Sequence, residues 1–183
     1  MGCGRHTATG VTKVVELRRH TDNDGDALTA DGVRAALEIG TRLEADYTVL
    51  VSSGMQRATQ TLACFLAGLG SRVPGGVIVE AGLRTESEGR WREIYAQTGE
   101  PHLAAFRVAD PAFVEDEQAR LGAALARIFA ALPEGGRALA VGHSPTNEAA
   151  VFALTGQEIP AMAKGEGVLV ESDGDEYRLR TID

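Results

Sequence analysis

Apolar positions along the chain alternate between two spacings. Short aliphatic runs at Val14–Leu17, Tyr47–Val51, Val77–Glu80 and Ala138–Val141 read as strands. Between them, apolar residues recur at helical spacing. A helix opens after Thr29 as N-cap, with Val33, Ala36, Leu37, Gly40 and Leu43 as its apolar stripe. A second helix covers Met55–Leu69 and is closed by Gly68 and Gly70. A third covers Glu115–Leu132, with Leu121, Leu125, Ile128 and Phe129 on one side. A fourth covers Pro145–Leu154, with Ser144 as N-cap and Pro145 at its first position. Gly167–Val170 and Tyr177–Ile182 read as a hairpin turning at Ser172–Asp175. The stretch Leu83–Pro111 follows neither spacing, holds the single tryptophan, Trp91, and reads as an irregular, lid-like insertion.

Strands alternating with helices predict crossover units. The expected fold is α/β, a three-layer αβα sandwich with a mostly parallel sheet and an antiparallel edge hairpin. The 183 residues fit one domain, 1–183, with a flexible start over 1–12. Hydrophobic content of 44% and charged content of 24% are those of an ordinary globular protein. A formal net charge of −8 argues against a broad nucleic-acid surface, but leaves room for a small cationic pocket. Cys3 and Cys64 suggest neither a disulfide framework nor a zinc site. No apolar stretch is long enough to span a bilayer and no signal-peptide pattern opens the chain, so a cytoplasmic location is the default expectation.

Ligands of open parallel sheets collect at the carboxyl ends of the strands. Three such ends carry polar groups. The first is Arg19-His20, and the second is Ser52–Thr61, with Arg57 in the first turn of the following helix. The third is Gly142-His143-Ser144-Pro145, where a helix N-terminus favours an anion. Arg-His-Thr occurs twice, at Arg5–Thr7 and Arg19–Thr21, but only the second copy follows a strand. Two histidines and two arginines describe a phosphoryl pocket better than a metal site. Arginines repel a cation, and no carboxylate pairs obviously with the histidines.

The chain resembles the histidine phosphatase superfamily, also called phosphoglycerate mutase-like, in four places. Leu17-Arg18-Arg19-His20-Thr21 matches the family's strand-Arg-His-Gly. Ser52 to Ala63 matches Ser-Ser-Pro-x-x-Arg-Ala-x-Gln-Thr-Ala, with Gly54 for Pro and Leu62 inserted. Val141-Gly142-His143 matches the strand ending in Gly-His, and Leu28-Thr29-x-x-Gly32 the family's helix start. The resemblance spans roughly Val14 to Gly156. It implies that His20 is the nucleophile and that Arg19, Arg57 and His143 hold the phosphoryl oxygens. A phosphohistidine intermediate then passes its phosphoryl group to water, with no metal and no cofactor. Arg18, on the opposite strand face, is then a surface or salt-bridge residue.

Two departures bear on the chemistry. Thr21 replaces the family's glycine after the nucleophile, and either tightens the pocket or donates to phosphate. In Leu83-Arg84-Thr85-Glu86-Ser87-Glu88-Gly89-Arg90-Trp91, Thr85 holds the position of the family's acid. Glu86 is then the first substitute, Glu80 and Glu88 are others, and a site with no dedicated acid is the third possibility. A missing acid suits substrates whose leaving group departs easily, such as phosphoramidates. In size the chain is nearest the compact phosphohistidine phosphatases. Thr21, Asn23 and Ser144 are the expected substrate-binding residues. The expected partner is a small phosphorylated metabolite or a phosphohistidine protein, with no nucleic acid or membrane, and the oligomeric state is open. The reading is a metal-independent phosphatase, with a phospho-ligand-binding module as the alternative and a phosphoglycerate-type mutase third.

Overall fold

The computed structural model describes residues 12–43, 46–174 and 176–182. Residues 1–11, and with them the flexible start and Cys3, lie outside the described residues. The first strand, β1 (Lys13–Arg19), is followed by a small hairpin of β2 (Asn23–Asp24) and β3 (Ala27–Leu28). Then come α1 (Ala30–Thr41), β4 (Val49–Ser52), α2 (Gln56–Leu69) and β5 (Val77–Val79). After one 3₁₀ turn at Ala81–Leu83 the chain forms α3 (Glu88–Thr98), α4 (Leu103–Ala109) and α5 (Pro111–Ala131). It closes with β6 (Arg137–Gly142), α6 (Thr146–Thr155), β7 (Gly167–Asp173) and β8 (Glu176–Thr181).

The main sheet has the order β5-β4-β6-β1-β7-β8. Its first four strands run parallel, and β7 and β8 add the antiparallel edge. Alternation along each strand feeds two cores. Val15, Leu17, Ala138 and Ala140 face α5 and α6, while Leu139 and Val141 face α1 and α2. The sheet is therefore covered on both faces, as the alternating pattern predicts. Among the described residues no helix is long and apolar enough to cross a membrane.

Glu16 interrupts the apolar run of β1 yet is buried at 2% exposure. Its carboxylate accepts hydrogen bonds from Arg18 Nε (2.7 Å), Tyr47 Oη (2.6 Å) and Arg137 Nη2 (2.7 Å). Burial alone would raise its pKa, but the Arg18 guanidinium and these donors outweigh it and lower the pKa. Arg18 is thus a salt-bridge residue, but a buried one rather than a surface one.

Several expectations about the elements change. Of the stripe expected on α1, Ala36, Gly40 and Leu43 are buried, but Val33 and Leu37 are each 37% exposed, and Gly32 joins the inner face. Close approach to α2 sets this face. A β-carbon on Gly40 would lie 2.7 Å from the Phe65 carbonyl oxygen, and Gly68 stands against it on α2. Thr29 does cap α1, its hydroxyl accepting the Gly32 N–H at 3.0 Å. The stretch 83–111 is not irregular but holds α3 and α4. The inward face of α3 is only Trp91 and Ile94, too narrow for a helical signal, and Gly99 is its left-handed C-cap. Helix α5 begins four residues early, at Pro111, because Asp110 caps it and proline loses no hydrogen bond in a first turn. Ser144 does not cap α6. Pro145 takes the cap position, and the Ser144 hydroxyl donates to Glu148 instead.

The helix contact yields a test. In an open helix, Gly40→Ala would stabilise by about 1 kcal/mol. Here the methyl meets backbone, and overpacking of this kind costs about 1–3 kcal/mol. Urea unfolding should show a net loss for Gly40→Ala, whereas Leu37→Ala on the exposed flank costs less. A more stable Gly40→Ala protein would refute the close contact.

Candidate active site

Three adjacent parallel strands, β4, β6 and β1, end side by side. Register places Arg19 opposite Gly142 and Ser52 opposite Val141. The backbone continues the pairing past the strand ends, with His20 N–H donating to the Gly142 carbonyl (3.1 Å) and Ser53 N–H to the Val141 carbonyl (3.1 Å). Asn147, fully buried on α6, ties two of these ends together. Its Oδ1 accepts the His143 N–H (3.2 Å) and its Nδ2 donates to the Arg18 carbonyl (3.1 Å). Gly142 is required here, since a β-carbon would overlap the Asn147 amide.

The hydrogen bonds fix both imidazole tautomers. His20 Nδ1 lies 2.8 Å from the Thr21 carbonyl, an acceptor, so Nδ1 carries the proton and Nε2 keeps its lone pair. Arg57 Nε–H donates to His143 Nδ1 (3.3 Å), so His143 carries its proton on Nε2 and donates it to Ser53 Oγ (2.7 Å). The two rings stand 5.2 Å apart. Burial first, then the Arg57 and Arg19 guanidiniums, pulls the His20 pKa down to about 4. Burial, then Arg57 and His20, pulls His143 to about 3. Both rings are neutral at pH 7.

Arg57 is held from three sides. Asp26 accepts its Nη1 (2.9 Å) and also the Gln56 and Arg57 backbone N–H groups, so it caps α2 from the β2–β3 hairpin. Glu88, at the start of α3, accepts Arg57 Nη2 (2.7 Å) and, through its other oxygen, Arg92 Nη2 (2.8 Å). Arg19 is bound only at Nη1, by the Met162 carbonyl (2.7 Å), and its buried Nε has no partner among the described residues. The same Met162 gives its N–H to Glu148 Oε1 (2.7 Å), which also accepts the Ser144 hydroxyl (2.6 Å). Glu148 is 1% exposed, and burial raises its pKa. A buried guanidinium N–H without an acceptor fits an anion. Among the described residues, no three His, Cys, Asp or Glu side chains gather as metal ligands.

These groups border a cavity of about 520 Å³. Of the residues singled out in the sequence, Arg19, His20, Arg57, Asn23 and Ser144 line it. His143 stands behind the wall, with both ring nitrogens engaged. Thr21 is not on the wall. It is buried, and its N–H and hydroxyl both meet Thr61 Oγ1, at 3.1 and 3.3 Å. The structure therefore does not bring Thr21 together with the other expected substrate-binding residues, Asn23 and Ser144. The extra bulk is accommodated against α2. Glu86 is exposed and off the wall, and the carboxylate that reaches the cavity is Glu88, two residues on, because α3 begins there and turns its first side chain inward. Thr85 lines the cavity.

Sequence reasoning missed Lys164, Asp26, Ser53 and Glu148. Lys164 reaches the rim from the α6–β7 loop and donates to Asp22 (2.6 Å) and Asn23 (2.9 Å). Nothing local marks it. Ser53 was visible as the second serine of its motif, and Glu148 as the only acidic residue of α6.

Comparison with known proteins agrees with this fold. The model of the histidine phosphatase superfamily (branch 1) matches residues 4–179. A comparison with curated protein sequences gives no match. Among solved structures, phosphoglycerate mutase from Bacillus anthracis is 17% identical, with a TM-score of 0.73, covering 95% of this chain and 94% of that one. A mycobacterial glucosyl-3-phosphoglycerate phosphatase is 20% identical, with a TM-score of 0.64 over 94% and 98%. A protein assigned as the phosphohistidine phosphatase SixA from Agrobacterium tumefaciens is 19% identical, with a TM-score of 0.54 over 91% and 95%. At these identities the structures share the fold and leave the activity open. With the family model matched along nearly the whole chain, the protein belongs to the histidine phosphatase superfamily, branch 1.

Proposed function

We propose that the protein is a metal-independent phosphatase that hydrolyses a phosphomonoester or phosphoramidate through a phosphohistidine on His20. The observation that carries this reading is the His20 ring. Its Nδ1–H is committed to the Thr21 carbonyl, so the lone pair on Nε2 is left for phosphorus, in a cavity that Arg19 and Arg57 also line. Nε2 attacks phosphorus and the bond to the leaving oxygen or nitrogen breaks. Water then forms the new P–O bond, the N–P bond breaks, and phosphate leaves. Arg19 and Arg57 neutralise the charge that spreads over the phosphoryl oxygens. His143 holds Arg57 in place through Nδ1 and is itself held by Ser53. Glu88 in its protonated form is the cavity group that can give the leaving oxygen a proton, which it recovers from the attacking water.

A second reading is a phospho-ligand-binding module. Thr85 at the family's acid position favours it, as does the pairing of Arg57 with both Asp26 and Glu88. One experiment separates the two. Turnover of p-nitrophenyl phosphate and of phosphoramidate is compared for the wild type and His20→Ala. The phosphatase reading expects a loss of about a thousandfold or more, and unchanged turnover sinks it. Binding of inorganic phosphate without turnover of either compound supports the module.

The acid assignment has its own test. General acid help is worth about 10²–10⁴-fold and matters most for poor leaving groups. Glu88→Gln should therefore slow an alkyl phosphate far more than p-nitrophenyl phosphate, and Glu86→Gln should not. Equal slowing of both esters by Glu88→Gln would remove it from that role.

The neutral histidines also predict a pH dependence of stability. Their folded pKa values lie below the unfolded value of 6.5, so the unfolded chain binds protons first as pH falls. Stability is full above pH 6.5 and declines below it, until about pH 4 for His20 and about pH 3 for His143. By pH 5 each ring costs on the order of 2 kcal/mol. Urea unfolding in phosphate-free buffer should show the decline between pH 7 and 5, and a flat profile there would contradict the burial of the two rings.

A further inference from the structure

We infer that the site takes phosphate attached to a neutral aromatic or similarly flat apolar body, rather than to a second anionic group. The inference rests on the phosphatase reading and concerns the half of the cavity away from His20. A volume of about 520 Å³ is in the range that encloses a drug-sized molecule, well beyond one phosphate. Part of the wall comes from α3 and α4, through the exposed Tyr95 and the edges of the nearly buried Trp91 and Phe106. Trp91 is fixed. Its indole N–H donates to Glu117 (3.2 Å), and its ring meets Phe106 and Phe113 edge-on at 5.5 and 5.1 Å. Tyr95 follows one helical turn later and is 51% exposed, a large aromatic left open at the cavity. Tyr95 is the open surface for stacking, on a helix anchored by the buried Trp91.

Charge at the rim argues against a second anion. The two cations nearest this half, Arg92 and Lys164, are each matched by a carboxylate of the chain, Glu88 and Asp22. A second anion placed on these cations would meet Glu88 and Asp22 beside them, a repulsion that a neutral ring does not meet. The leaving group points the same way. Thr85 cannot give a proton, and a phenolic oxygen leans less on acid help from Glu88 than an alkoxide does.

Non-hydrolysable probes test the subsite apart from the chemistry. Calorimetry measures the affinities of phenylphosphonate, methylphosphonate and phosphonoacetate for the wild type and for Tyr95→Ala, an exposed position where the substitution leaves the core intact. The expected result is phenylphosphonate binding about tenfold or more tighter than methylphosphonate, with Tyr95→Ala bringing the two within about threefold. Equal affinities in the wild type, a ratio unmoved by Tyr95→Ala, or phosphonoacetate as the tightest ligand would overturn the inference while leaving the phosphatase reading intact. Binding of none of the three would overturn the anion site and the inference with it. Binding as expected without turnover of aryl phosphate would retain the subsite and remove the catalytic reading.

Discussion

The parallel pairing of β1 with β6 is the constraint on which the site depends. It runs in register from Val14–Arg137 to Arg19–Gly142, so the Arg-His of one strand and the Gly-His of the other end at the same height. A slip of one residue would turn Arg19 to the other face and bring Arg18 into its place. Two features oppose that slip. The buried Glu16 accepts from Tyr47 and Arg137 of other segments, and it would lose both if the strand flipped. Asn147 reads the register directly, because one amide group spans both strand ends and fits only against a glycine at 142.

From that platform, charge is positioned by groups that never meet the cavity. Glu148 is buried and turned away from solvent, yet it accepts from Met162 N–H, and the Met162 carbonyl holds Arg19. Met162 therefore passes the placement of a helix carboxylate to a strand guanidinium. Asp26 works in the same way on the other side, capping α2 while holding Arg57 Nη1. Leaving Arg19 Nε unpartnered inside the protein carries a desolvation cost, which the arrival of an acceptor removes.

How much of this was legible depends on whether the signal is local. Arg19-His20, Arg57 and Gly142-His143 could be read because each follows an apolar strand run, and strand ends converge in a parallel sheet. The layer order followed from alternation. What failed depended on packing. The inner face of α1 is made of glycine and alanine, so the apolar spacing finds Ala36 and Gly40 but adds Val33 and Leu37 from the flank. Helix α3 buries two residues and shows almost no stripe, so it looked like a loop, and with it went the difference between Glu86 and Glu88. The contacts of Thr21, Asp26, Lys164 and Glu148 bridge elements 14 to 142 residues apart, a relation no window along the chain displays.

The carboxylates around Arg57 explain how an acidic protein keeps a phosphate site. With a net charge of −8 the surface repels phosphate at long range, and the site must act at contact. Asp26 and Glu88 reduce the field of Arg57 further, yet they also hold its guanidinium in a fixed orientation when no ligand is bound. That exchanges affinity for preorganisation. An arginine already oriented needs no rearrangement as charge spreads over the phosphoryl oxygens, and interactions that strengthen in the transition state raise the rate more than tight ground-state binding does. Arg19 carries the complementary share. With Nε unpartnered and only a backbone carbonyl on Nη1, its charge is less neutralised than that of Arg57 and supplies the first attraction. One arginine attracts and the other is held ready, and the nucleophile sits beside both because two parallel strands end in register.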